Sequence, residues 1–171
     1  TTIDLCLALF PWAVFRRRKG AIKLHTLMDL RGSIPAFILI SHGKTHDLNV
    51  FDVLVFEPGA FYIFDRGYFH FARLYGIKQA CSFFVTRTKK KMQYRVTVSR
   101  PVDENTGALR DQTIALTGVH STSDYPEPLR RIKYRDQETG KVYVFLTNNF
   151  SLSALTIARL YKARWRIELF F

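Results

Sequence analysis

Ala60-Phe61-Tyr62-Ile63-Phe64-Asp65-Arg66-Gly67-Tyr68 is the stretch that decides the fold. Pro58-Gly59 closes off whatever precedes it, and the apolar run Ala60 to Phe64 is short enough to be a buried strand. That strand delivers Asp65 at its C-terminal end, and Arg66-Gly67 turns the chain into a helix expected over Phe69 to Tyr75, with Gly76 as its stop. Ser82 to Thr86 (SFFVT) then reads as another strand. Strand, helix and strand in succession point to an α/β fold. A carboxylate at the C-terminal end of a buried strand sits where open α/β sheets bind ligands. The plainer reading is an aspartate that caps a turn or a helix.

Upstream, Ala21 to Leu30 mixes large apolar residues with Lys23, His25 and Asp29 in rough alternation and reads as a strand. Arg31-Gly32-Ser33 supplies a turn, and Pro35 to Ile40 is an apolar run of the kind found in a well-covered sheet, so the two form a hairpin. Leu48, Phe51, Val55 and Phe56 have helical spacing within Thr45 to Phe56, with Thr45 or Asp47 as the cap. Downstream of Arg87 the character changes. A basic run, Lys89 to Lys91, precedes YRVTVS, QTIALT, LRRIKY and KVYVFLT, which read as strands separated by Asn105-Thr106-Gly107 and Pro126-Glu127-Pro128. They suggest a β-rich insertion at 89–147. The core would then comprise residues 1–88 and, after the Asn148-Asn149 loop, residues 148–171, with Ser151 or Ser153 capping a final helix.

On that helix Tyr161, Arg164 and Glu168 are three and then four residues apart, so they share one face. The face continues back through Ile157 and Ala154, which places Glu168 beside the core. A carboxylate in such a place needs a partner, and a metal ion is one candidate. Asp65 and Glu168 from different elements are suited to Mg²⁺. Asp4, Asp29, Asp47 and Asp52 are available as a third acid but read as surface or capping residues.

The chain of 171 residues carries 26 Lys and Arg against 14 Asp and Glu, a formal charge of +12, so polyanions are its natural partners. At 47% hydrophobic and 15% aromatic it can bury a core, unlike a basic disordered tail. Cys6 and Cys81 lie far apart with no zinc spacing, which fits a reducing cytoplasm. The apolar opening Ile3 to Phe15 contains Asp4 and Pro11 and has its basic run, Arg16 to Lys19, on the wrong side for a signal sequence. No stretch approaches a membrane span, and the sequence reads as soluble. His42 to Thr45 (HGKT) lacks the leading glycine of a phosphate-binding loop, since Ile38 stands there. His25, His42, His46, His70 and His120 show no metal-ligand spacing. The basic runs divide evenly between phosphate contact and an ordinary solvated face.

Tyr161-x2-Arg164-x3-Glu168, preceded by a Thr-Asn-Asn loop and followed by Leu169-Phe170-Phe171, resembles the signature of bacterial DDE transposases of the insertion sequence 4 family. FDRGY around Asp65 resembles the segment that carries the family's second catalytic aspartate, and Lys19 to Pro35 resembles the strand pair before it. The resemblance implies a ribonuclease H-like mixed sheet with helices, interrupted by a β-rich insertion before the last catalytic helix. It implies two Mg²⁺ ions about 4 Å apart, replaceable by Mn²⁺. Asp65 and Glu168 would be catalytic metal ligands, Arg164 would grip a phosphate, and Tyr161 would contact the DNA backbone. The partners would be double-stranded DNA, both transposon ends and target, and a second copy in a homodimer, in the bacterial cytoplasm at the nucleoid. By the resemblance, the first catalytic aspartate would lie just before Thr1, and a signature lysine past Phe171, so the chain reads as a fragment inactive by itself. Two alternatives stay open at this point. One is a non-catalytic basic DNA-binding remnant, and the other a related metal-dependent nuclease.

Overall fold

The computed structural model describes residues 2–5, 14–16, 19–29, 32, 34–42, 47–88 and 91–164. They fall into two compact units, one within residues 1–54 and the other spanning Val55–Arg164.

In the first unit, β1 (Thr2–Leu5), β2 (Val14–Arg16) and β4 (Ile34–His42) all pair antiparallel with the long β3 (Lys19–Asp29). The expected hairpin is β3–β4, in register from Ile22 opposite His42 to Asp29 opposite Ile34 with one irregularity at Leu27 and Met28. His25 is buried and its Nε2 lies 2.9 Å from the Ser41 hydroxyl, so it is a satisfied core histidine. The apolar run of β4 is not the covered strand its composition suggested. Period-two alternation turns Ile34, Ile38 and Ile40 outward, and they are 65%, 50% and 58% exposed. The helix expected over Thr45 to Phe56 is a short 3-10 segment, Asp47–Asp52, in which Val50 and Phe51 are buried.

The second unit opens with β5 (Phe61–Phe64), α1 (Phe71–Gln79) and β6 (Phe83–Arg87). The two strands are parallel and in register from Phe61 opposite Phe83 to Phe64 opposite Thr86. Helix α1 starts later and ends later than Phe69 to Tyr75. Asp65 first caps a 3-10 turn, Arg66–Tyr68, and Gly76 lies inside the helix. The stop comes at Cys81, whose φ of 56° takes the left-handed role usually given to glycine.

Four more strands continue this sheet: β7 (Tyr94–Arg100), β8 (Ala108–Leu116), β9 (Leu129–Arg135) and β10 (Val142–Thr147), with a short α2 (Val119–Asp124) after β8. The spatial order is β5-β6-β10-β9-β8-β7, antiparallel beyond β6, so the β-rich stretch joins the α/β portion edge to edge through β6 and β10. This mixed sheet with few helices is the α/β, ribonuclease H-like arrangement expected.

The last helix, α3 (Ala154–Ala163), begins where Ser153 accepts the Thr156 amide at 3.0 Å, as expected of one of the two candidate serines. Ile157, Ala158 and Tyr161 fall on one stripe and pack on Val85, Ile132 and Phe145 from the sheet. On the opposite face, Phe84 meets the buried Tyr125 edge to face at 6.3 Å, and Tyr125 in turn meets Tyr75 of α1 at 5.2 Å. No helix among the described residues is long and apolar enough to cross a membrane.

Candidate active site around Asp65

Parallel pairing of β5 with β6 fixes what surrounds Asp65. One step beyond Phe64 and Thr86, the chain places Asp65 beside Arg87, and Arg87 Nη2 donates to Asp65 Oδ1 at 3.2 Å. The Arg66 amide donates to the same oxygen at 2.6 Å, because Asp65 caps the 3-10 turn. The capping reading of Asp65 and the site reading therefore both hold. Helix α3 brings the third contact, the Tyr161 hydroxyl, to 3.5 Å from Oδ1. Each of these bonds falls on Oδ1, and Oδ2 accepts none of them.

Tyr161 is 2% exposed, its ring 4.9 Å from that of Phe145. The Arg87 and Arg164 guanidinium carbons lie 5.8 and 5.9 Å from the Tyr161 ring centre. Arg164 closes α3 with right-handed helical backbone. Burial pushes the Tyr161 phenol up, so at neutral pH it is a hydrogen-bond donor. Burial also pushes the Asp65 carboxyl up. The Arg66 amide, the Arg164 charge and Arg87 outweigh that and hold it below its usual range. The carboxylate is therefore ionised at neutral pH while set among cations.

Beside these residues a cleft of about 550 Å³ is lined by Arg66, Arg87, Arg131 and Lys141 together with Tyr94 and Tyr143. Arg131 lies 5.1 Å over the Tyr94 ring and donates to Gln112 Oε1 at 3.1 Å, which holds its guanidinium in place. No acid is among the residues lining this cleft, so it offers net positive charge to an anion.

Of the residues singled out in the sequence, the structure brings Asp65, Tyr161 and Arg164 into one neighbourhood. Glu168 lies outside the described residues, as do Lys89 and Lys90 and the side chains of Asp4, Asp47 and Arg16 to Lys19. Among the described residues no group of three or more His, Cys, Asp and Glu converges as a metal cluster, and Asp65 supplies a single carboxylate here. Sequence reasoning missed Arg87 and Arg131. Arg87 follows the apolar strand SFFVT directly, and parallel pairing with AFYIF would have set it next to Asp65. Arg131 gives no local signal, since the same residue on a strand serves equally as a solvated charge.

The chain matches the family described as the transposase DDE domain over residues 11–171. It is 34% identical over 167 residues to a Sinorhizobium fredii protein that carries the name transposase y4zB, covering 95% of this chain and 46% of that protein. It is 28% identical over 173 residues to a Geobacillus stearothermophilus protein named as transposase for insertion sequence element IS5377, covering 100% of this chain and 45% of that protein. The chain thus spans about half the length of the curated relatives it matches.

Proposed function

The chain belongs to the family of DDE transposase domains, and from that premise we propose that it serves phosphoryl transfer on DNA, with Asp65 at the reacting centre. The observation that carries the reading is the convergence of Arg87, Tyr161 and the Arg66 amide on one oxygen of an ionised, half-exposed carboxylate, with Oδ2 left out of those bonds. That donor set suits a cation on one side and a phosphate on the other.

Asp65 and Glu168 would hold divalent metal, Mg²⁺ or Mn²⁺, with a further acid to complete the site. When bound, two such ions neutralise charge on the attacking and leaving oxygens of an in-line displacement. The chain's own part is positioning. Arg87 and Arg164 would grip the scissile phosphate through planar guanidinium forks. The Tyr161 phenol, kept protonated, would donate to a phosphate oxygen. Arg66, Arg131 and Lys141 in the adjoining cleft would neutralise the backbone on either side of it, contacts that orient DNA without reading its sequence. Nicking would follow when water attacks the phosphate at a transposon end and the bond to the 3′-oxygen breaks, freeing a 3′-hydroxyl. Joining would follow when that hydroxyl attacks a target phosphate and displaces the target strand's own 3′-oxygen. Two copies, each engaging one end, would form the working homodimer. In this reading the chain would divide into a core at 1–88 and 148–171, with 89–147 grafted onto its sheet.

Titration of the chain with Mn²⁺ by calorimetry tests this. Binding is expected, with loss of at least tenfold in affinity on either Asp65→Ala or Glu168→Ala. Metal binding that ignores both substitutions overturns the reading. If DNA binding is then strongly salt-dependent and indifferent to metal, the basic DNA-binding remnant replaces it. A related nuclease would share the metal result but would cleave without joining strands.

A further inference from the structure

Arg130 lies in β9 with 3% of its surface exposed, and Asp111 in β8 with 5%. Two bonds join them, Nε to Oδ1 at 2.9 Å and Nη2 to Oδ2 at 2.6 Å, which is the fork geometry that fixes a guanidinium in its plane. The remaining nitrogen reaches out of the sheet. Arg130 Nη1 donates to the Leu152 carbonyl at 2.6 Å and to the Asn149 carbonyl at 3.3 Å. A second arginine works alongside it. Arg100 from β7 approaches the same Asp111 at 3.5 Å, donates to the Thr113 hydroxyl at 2.9 Å and lies 5.6 Å over the Phe150 ring.

The segment they hold runs from the end of β10 to Ser153, the cap of α3. It is also tied from within, because Asn149 Oδ1 accepts the Leu152 amide at 2.9 Å and the Ser151 amide at 3.2 Å. An ion pair buried this deeply is a poor source of stability, since the loss of hydration offsets most of the attraction and apolar residues of equal volume serve as well. What the fork supplies that apolar packing lacks is direction. The carbonyls it grips immediately precede α3, and a helix moves as a rigid rod, so an error at its first turn is carried to Tyr161 and Arg164 at its far end.

We propose that Arg130, held by Asp111 and seconded by Arg100, is a positioning residue that aims α3 and so sets Tyr161 and Arg164 at Asp65. Its catalytic meaning rests on the reading of Asp65 given above, whereas its geometric content does not.

The test compares wild type, Arg130→Lys, the double variant Asp111→Leu/Arg130→Met, and Arg100→Lys by NMR and thermal unfolding. Arg130→Lys keeps the charge and loses the fork, while the double variant removes both charges and keeps the volume. The Tyr161 ring protons and the Arg87 Nε–H report on the site, and the Leu74 and Ile77 methyl groups of α1 serve as controls. The expected result is that the Tyr161 and Arg87 signals move in Arg130→Lys and in the double variant, and less in Arg100→Lys. The α1 methyls stay in place, and the double variant keeps the wild-type melting midpoint. Unmoved Tyr161 and Arg87 signals in Arg130→Lys or in the double variant overturn the proposal and leave a purely structural ion pair. Should the double variant not fold, the same signals in Arg100→Lys decide, and their standing still overturns it. Adding Mg²⁺ to the wild type separates the two ideas. If no signal near Asp65 responds, the catalytic reading fails while the aiming of α3 stands or falls on the variants alone.

Discussion

Asp65 and Arg87 meet through one bond at 3.2 Å with 44% and 31% of their side chains exposed. Asp111 and Arg130 meet through two, at 2.9 and 2.6 Å, with 7% and 4% exposed. Arg87, Asp111 and Arg130 lie on one face of the same sheet, the face that α3 covers, as the registers linking Arg87 to Phe145, Phe145 to Ile132 and Ile132 to Asp111 require. The contrast comes from position. Asp65 sits past the end of β5, where the sheet stops and water enters, while Asp111 and Arg130 sit within central strands under the loop that launches α3. An ion pair at a strand end can trade its partner for a ligand at little expense. One closed on all sides by sheet and loop can only hold what is already there.

Breaking the two pairs is the direct way to challenge that contrast. Arg130→Met by itself strands a buried carboxylate and is expected to destabilise the chain by about 3–5 kcal/mol in urea unfolding. Arg87→Met, which leaves a carboxylate that water can reach, is expected to cost about 1 kcal/mol or less. Equal losses at the two sites would mean that the pairs do not differ in kind.

A pH series sharpens the same comparison. Although burial alone raises the Asp65 carboxyl, the Arg66 amide, Arg164 and Arg87 leave it below its usual range in the folded chain. A group of this sign contributes stability above its unfolded pKa of about 4 and loses that contribution as pH falls through the lower folded value. The stability difference between wild type and Asp65→Asn should therefore be constant at neutral pH and shrink below about pH 4. A difference that stays constant down to pH 2 would refute the ionic description of this site. The smallest effect expected is a control remote from both pairs. A Cβ built on Gly76, inside α1, meets no atom within 4 Å, so Gly76→Ala should add about 0.5–1 kcal/mol without touching either ion pair.

Much of the fold was legible in the residues. Each strand from β5 to β10 lies within a few residues of its expected place, and the β3–β4 hairpin and the Ser153 cap are as read. The errors have local causes. Gly76 looked like a helix stop because glycine disfavours helix interiors, but the penalty is only about 1 kcal/mol and the packing of Leu74 and Ile77 overrides it. The Thr45 to Phe56 pattern looked helical because Leu48, Phe51, Val55 and Phe56 are spaced for one helix face, yet Phe51 is buried while Val55 is 86% exposed, and the structure forms only a 3-10 segment there.

The sequence by itself determined which residues carry charge, where the period-two and period-3.6 patterns run, and that Tyr161 and Arg164 fall on one helix face, because these follow from neighbours along the chain. It also sufficed to suggest the family. Only the tertiary structure decided that β10 pairs with β6, that Arg87 stands at Asp65, and that Arg130 spends its charge on Asp111 and the backbone before α3. Strand partners are chosen by burial summed over the whole sheet, and two residues 22 or 96 positions from Asp65, Arg87 and Tyr161, leave no local trace of meeting there.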